Sequence, residues 1–446
     1  LSWTNKTRKK IVRDMKVTKI NGRRDFVKKS ASAAVGGTLL GLLPHPLHSG
    51  SRPDSVVLKI GLVGCGSRGS GAVYEALNAS TQVEVVGIGD TFGDKVEQLH
   101  RRLAKDFPKQ CKLTANSKFT GFDAYKKVIE LCDVVLLATP PPFRPTHFEA
   151  AVAAGKHTFL EKPLAVDVPG YLKVIETGKL ADKKKLTVAV GLQFRYSQAV
   201  QEMVARIHQG EIGEITALNT YYNVVEPRII PREPQQTEME FQIRNWRYFT
   251  WLWGGQLAGQ AIHQIDVMNM VMGDFPVKAL GNGGRQVFSG INQGNTYDHF
   301  FIEYEYANGI QMHSQCRNMN NCANKMGWEI RGTKGIANEK FQFKNYQGKT
   351  FWNYRDNTDI GDSQKVQNKF IDAILKGVPY NDTEYGAKST LTTIMGRLAA
   401  ETGQVITTDR ILQSKEILAP SDLSWDSNSV EKPNANGQYN IVKPGK

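Results

Sequence analysis

Residues 56–90 restrict this chain more than any other segment. Val56 to Val63 is a short apolar run of the kind buried in a parallel sheet. Gly64-Cys65-Gly66-Ser67-Arg68-Gly69 follows at once. Next come a helix-forming stretch with Ala72, Tyr74, Ala76 and Leu77, a β-rich run from Val83 to Ile88, and then Asp90. Strand, glycine turn, helix, strand and terminal acid is the order of a βαβ unit that cradles a dinucleotide. Gly64 permits the tight turn. Gly66 lets backbone approach a pyrophosphate, and Gly69 lets helix pack on strand. Ser67 and Arg68 open the helix, whose free N–H groups and positive dipole favour phosphate. Asp90 is placed to accept hydrogen bonds from a ribose diol and to repel a 2′-phosphate. Thr91, Phe92 and Gly93 follow it with no basic residue, which favours NAD over NADP. The competing reading of Asp90 is an ordinary turn or helix-capping acid.

The alternation continues. Asp133 to Ala138 reads as a strand ending in Thr139-Pro140, and a helix from His147 to Ala154 follows. Lys156 to Leu160 reads as a strand ending in Glu161-Lys162-Pro163. A helix from Pro169 to Ala181 leads to a strand from Thr187 to Gly191, with Gln193-Phe194-Arg195-Tyr196 after it. Such alternation predicts a Rossmann-type, doubly wound parallel sheet. Ligands sit at the carboxyl ends of its strands, where these segments converge. After residue 197 the pattern changes to a helix, a long polar loop over 224–250 with aromatic punctuation, a helix from Gln256 to Met272, and short strands to about 354. In Phe300 to Tyr306 the apolar residues alternate with Glu303 and Glu305, as in a half-exposed antiparallel strand. The fold class is therefore α/β followed by an α+β domain with a large open, mainly antiparallel sheet. The expected domains are a leader over 1–49, a dinucleotide domain over 50–196, a second domain over 197–410 and an extended tail over 411–446.

The glycine turn, Thr139-Pro140, Glu161-Lys162-Pro163, Gly254-Gly255 and His263-Gln264-Ile265-Asp266 together resemble the Gfo/Idh/MocA family of oxidoreductases. The resemblance covers about residues 58–410. It implies NAD as cofactor, held by Gly64, Gly66, Ser67, Arg68, Gly69, Asp90, Thr139, Pro140, His147, Glu161, Lys162 and Gln193. It implies that Lys162 contacts both nicotinamide ribose and substrate, that Pro163 is a cis-proline fixing its direction, and that His263 works with Lys162. Arg195, Tyr196, Tyr222, Trp246, Arg247, His263 and Asp266 are the expected substrate residues, and Trp251 is a second candidate for stacking on a sugar ring. The implied activity is hydride transfer to or from a hydroxyl carbon of a sugar or glycoside, with a tightly held cofactor. A redox-neutral glycosidase like the NAD-dependent α-N-acetylgalactosaminidases, and a non-catalytic periplasmic sugar-binding protein, are the alternatives. This sequence departs from the family in one place. Many relatives carry an acid four residues before the His, where this chain has Gly259 beside Gln260.

Charge narrows the partners. The net charge is +14 over 446 residues. Residues 1–29 alone hold eleven Lys/Arg against two Asp/Glu, so the remainder is only mildly basic and a nucleic-acid surface is not expected. Arg23-Arg24, then Phe26, Lys28 and the Ala/Gly-rich stretch from Ala31 to Leu43, resemble a twin-arginine export signal. The expected location is thus the periplasm, reached already folded and without a stable membrane anchor. A homo-oligomer formed through the open sheet is expected from the resemblance. No CxxC, HxH or HExxH pattern occurs, so no metal site is expected. Five cysteines do not make a disulfide framework, although Cys316 and Cys322 are spaced so that pairing is open.

Overall fold

A computed structural model describes residues 57–355 and 360–445. The proposed export signal, Arg23-Arg24 included, lies outside the described residues. Six strands build the first sheet: β1 (Leu58–Val63), β2 (Val83–Asp90), β3 (Lys118–Thr120), β4 (Val134–Leu137), β5 (His157–Leu160) and β6 (Val188–Val190). Their order is β3-β2-β1-β4-β5-β6, and every pairing is parallel. β4 is buried along its whole length, the signature of a strand covered on both faces. The order reverses between β1 and β4, and a crevice opens there, at the carboxyl ends.

The second sheet has nine strands in the order β14-β13-β12-β11-β7-β10-β9-β8-β15. They are β7 (Ile215–Val224), β8 (Lys278–Gly284), β9 (His299–Glu305), β10 (Gln311–Asn318), β11 (Lys325–Gly332), β12 (Ile336–Asn338), β13 (Gln342–Lys344), β14 (Thr350–Asn353) and β15 (Ile406–Thr407). β7 and β10 run parallel, and the other neighbours are antiparallel. In β9, Phe300, Ile302 and Tyr304 point into the core while Phe301, Glu303 and Glu305 face outward, as the alternation requires. Cys316 is buried in β10, Cys322 is exposed, and both are free thiols.

Three features depart from the linear reading. First, the helix Asp362–Leu375 returns to the first domain: Val366, Phe370, Ile371 and Ile374 join the core under β1 and β2. Second, the segment 224–250 is not plain loop. It holds the helix Glu238–Arg244 and a turn at Trp246–Tyr248, and a short helix Thr250–Trp253 follows. Its aromatics form a second apolar core with Phe92 and Phe143 of the first domain and Val430 and Tyr439 of the tail. Third, the helix expected from Gln256 is bulged: Leu257–Ala261 is a wide π-type turn before the regular helix Ile262–Met272. Such bulges gather at functional sites because they redirect side chains and carbonyls.

Candidate active site

A cavity of about 710 Å3 lies between the two domains and is lined by Gly64, Gly66 to Gly69, Asp90, Thr139, Pro140, His147, Glu161, Lys162, Gln193, Tyr222, Trp246, Arg247 and His263. All the expected cofactor residues therefore line this one cavity. The glycine turn fits a diphosphate by a geometric criterion. A Cβ at Gly69 would fall 1.8 Å from the Gly64 carbonyl oxygen, and one at Gly64, where φ is +99°, would fall 2.7 Å from Ala138. A Cβ at Gly66 would meet no atom within 4 Å. Gly64 and Gly69 serve the fold, whereas Gly66 keeps a cradle open for a ligand. Asp90 closes the cradle by accepting from the Cys65 N–H at 2.7 Å and the Phe92 N–H at 3.0 Å. Burial raises its carboxyl above the usual range, and those two N–H groups pull it back.

Arg68, which lines the cavity, also has a structural part. Its guanidinium binds Glu161 at 2.6 Å and Glu75 at 2.6 Å, so it fixes the Glu161 carboxylate and ties the first helix to the strand end that carries Lys162. Lys162 and Pro163 are joined by a cis peptide bond, as the resemblance implies. The Lys162 ammonium donates to the Gly259 carbonyl at 2.6 Å. Burial pushes it down to about 8; Glu161 works against that shift, while Arg144, Arg247 and Arg68 add to it. His263 is half-buried, and desolvation of its ring, together with Lys162 and Arg68, holds it well below the ordinary value and hence neutral. Its Nδ1 is a buried polar atom with no partner among the described residues. A neutral imidazole with an open nitrogen beside an easily deprotonated amine can pass or position a proton.

His147 stacks on Tyr125 at 4.0 Å, and its Nδ1 lies 3.4 Å from the Thr139 hydroxyl. Burial, then Arg144, lowers it to about 3, so it too is neutral. Sequence reasoning missed Arg144, Trp253 and Tyr125, which all line the cavity. Arg144 is buried, donates to the carbonyls of Pro163 and Thr139, and so locks together the ends of β4 and β5. The one available signal was a basic residue just behind Thr139-Pro140; nothing in the sequence marked it as buried.

Three expected substrate residues do not line the cavity. Arg195 makes a two-pronged ion pair with Asp266 at 2.8–3.0 Å, and the Ser389 hydroxyl donates to the same carboxylate at 2.6 Å. Asp266 is 1% exposed. Tyr196 donates to Asp382. A spacing of three on a helix leaves side chains about 60° apart; here that angle turns His263 to the cavity and Asp266 to the interior. Trp251 is likewise interior, with its indole N–H on Gln242. Asp266→Ala should therefore act on stability. Stranding the half-buried guanidinium is expected to cost about 1–3 kcal/mol, read by denaturant unfolding, with the NAD dissociation constant unchanged. A loss of NAD binding with normal stability would return Asp266 to the site.

Comparison with known proteins agrees with this geometry. Residues 58–192 match the family model described as oxidoreductase family, NAD-binding Rossmann fold, and residues 200–338 match the GFO/IDH/MocA C-terminal domain. An inositol 2-dehydrogenase/D-chiro-inositol 3-dehydrogenase of Shouchella clausii is 25% identical over 219 residues, 49% of this chain and 54% of that protein. An inositol 2-dehydrogenase of Burkholderia vietnamiensis is 32% identical over 163 residues, 35% of this chain and 43% of that protein. The chain thus spans about half the length of the curated relatives it matches. Among solved structures, an aldose-aldose oxidoreductase of Caulobacter crescentus superposes with a TM-score of 0.61 at 16% identity, covering 79% of this chain and 99% of that one. A levoglucosan dehydrogenase in complex with NADH and L-sorbose gives 0.62 at 19% identity, with the same shares covered. These two likenesses speak for the fold. With an NAD-binding Rossmann domain and the matching C-terminal domain in one chain, this protein belongs to the Gfo/Idh/MocA family of oxidoreductases.

Proposed function

We propose that the protein is an NAD-dependent dehydrogenase that moves hydride to or from a hydroxyl-bearing carbon of a sugar or glycoside. One observation carries the reading: a half-buried lysine at a strand end, its amine lowered to about 8 by desolvation, in the cavity that the glycine turn opens. NAD, when bound, supplies the hydride acceptor or donor. Gly64 to Gly69 and Asp90 would hold its diphosphate and ribose, and Thr139, Pro140, His147 and Gln193 would line the rest of its cavity. Lys162 would take the proton of the substrate hydroxyl, and neutral His263 would orient that hydroxyl. Tyr222, Trp246 and Arg247 bind the sugar, the indole against its apolar face and the polar groups on its hydroxyls.

The same proposal includes a tightly held cofactor. Ile230, Ile243, Arg244 and Trp246 wall the cavity from the second domain's loop. That loop is itself anchored by the shared core with Phe92, Phe143 and the tail. A cofactor that leaves slowly suits a protein exported folded to a compartment without a free NAD pool, the location we infer from Arg23-Arg24. We infer, too, a homo-oligomer through the outward face of the nine-stranded sheet, where Leu280 and Phe301 are exposed beside half-buried Tyr221.

Denatured, as-purified protein examined by mass spectrometry should release a dinucleotide. The intact protein is then offered a panel of sugars and p-nitrophenyl glycosides. A change in cofactor absorbance without aglycone release is the expected result. Aglycone release at constant NAD would make it a redox-neutral glycosidase, and neither signal would make it a binding protein.

A further inference from the structure

The missing acid at position 259 has a physical counterpart. An ideal Cβ on Gly259 would lie 1.7 Å from Trp253 Nε1, 2.2 Å from its Cε2 and 2.5 Å from its Cδ1. The five-membered ring of the indole fills the space in which any side chain at 259 would begin. The indole has little room to yield. It is 1% exposed, and Trp246 stands edge-on to it at 6.3 Å and 85°. Trp253 ends its short helix and is followed by Gly254 and Gly255, both at positive φ, which turn the chain back over it into the bulge Leu257–Ala261. The Gly259 carbonyl in that bulge is the hydrogen-bond acceptor of the Lys162 ammonium. No carboxylate lies within ion-pair distance of that ammonium among the described residues. Of the two carboxylates on the cavity wall, Glu161 is engaged by Arg68 and Asp90 by the Cys65 and Phe92 N–H groups.

We propose that Trp253 and Gly259 are a matched pair that positions the Lys162 amine: the indole takes the place of a side chain at 259 and holds the Gly259 carbonyl, a neutral acceptor, against the amine. The inference rests on reading Lys162 as the group that takes the substrate proton. A carbonyl fixes the direction of Nζ without the charge attraction by which a carboxylate holds an ammonium protonated. The pair thus lets a half-buried lysine be oriented and still release its proton near neutral pH. Trp253 and Gly259 are positioning residues, since they act through Lys162.

The test needs no substrate. On the full chain, Gly259→Ala is expected to lower the melting temperature by roughly 5 °C or more through overpacking, and Trp253→Ala/Gly259→Ala to recover most of that loss relative to Trp253→Ala. Trace labelling by acetic anhydride across pH, read on the Lys162 peptide by mass spectrometry, then reports the amine. The wild-type midpoint is expected near 8. In Trp253→Ser/Gly259→Glu it should rise by about one pH unit or more, a tenfold change in proton affinity. In Trp253→Ser/Gly259→Gln, with a neutral acceptor, it should rise by less than half as much. Gly259→Ala melting like wild type, or Glu and Gln variants titrating alike, would overturn the proposal. Should the Glu variant not fold, the melting cycle decides alone. Labelling is independent of turnover. A failed cycle beside a normal loss of turnover in Lys162→Met therefore rejects only the pairing. A held cycle beside undiminished turnover in Lys162→Met rejects instead the role given to the lysine.

Discussion

Lys162→Met should reduce the rate of cofactor reduction by about 10²–10⁴-fold, the range that a positioned general base supplies, while NAD stays bound with nearly unchanged affinity. Methionine matches the length of the lysine stem and leaves the cavity filled, but it can neither accept a proton nor carry charge. The diphosphate cradle and Asp90 belong to other segments and are untouched. In the wild type, kcat/KM for oxidation should rise with pH and level off above about 8. The sign follows from the chemistry, because the base works unprotonated and below that value the ammonium predominates. Lys162→Arg should not rescue, because a guanidinium does not give up its proton in this range. Stopped-flow absorbance of the cofactor and calorimetric NAD binding on the same variants check both halves. Normal turnover in Lys162→Met would remove the lysine from the chemistry.

Gly66→Val should separate cofactor binding from folding. A Cβ at this position meets no protein atom within 4 Å, so NAD-free protein should melt as the wild type does. The added side chain stands where backbone must approach the diphosphate. NAD affinity is therefore expected to fall by about 10²-fold or more, and the rise in melting temperature that NAD gives should disappear. Gly69→Ala should do the reverse of this separation and destabilise the chain with or without NAD, since its Cβ would collide with the Gly64 carbonyl oxygen at 1.8 Å. Differential scanning calorimetry with and without NAD reads both variants. A Gly66→Val protein that binds NAD normally would show that the turn is not the cradle.

The first domain is legible in the sequence because its signals are local. Apolar runs, the spacing of three glycines and the acid at the end of β2 all fall within about 35 consecutive residues. Glu161-Lys162-Pro163 is legible because a parallel sheet necessarily delivers its strand ends to one edge. The alternation in β9 likewise tells which residues face inward. The segment 224–250 reads as irregular throughout although its second half is helical, because its helices are too short to show a period and its aromatics are ordered by partners far away in sequence.

By itself, then, the sequence determined the doubly wound sheet and the dinucleotide turn, since each rests on backbone sterics and short-range spacing, while the candidacy of Lys162 and His263 came from the family that its motifs resemble. Tertiary structure alone decided that Arg195 and Asp266, 71 residues apart, satisfy each other instead of a ligand. It alone sealed Arg144 beneath the strand ends, and it alone gave Lys162 a main-chain carbonyl 97 residues away. The physical reason is that a buried charge takes whichever partner the packing brings within about 3 Å, and no spacing along a chain encodes that meeting.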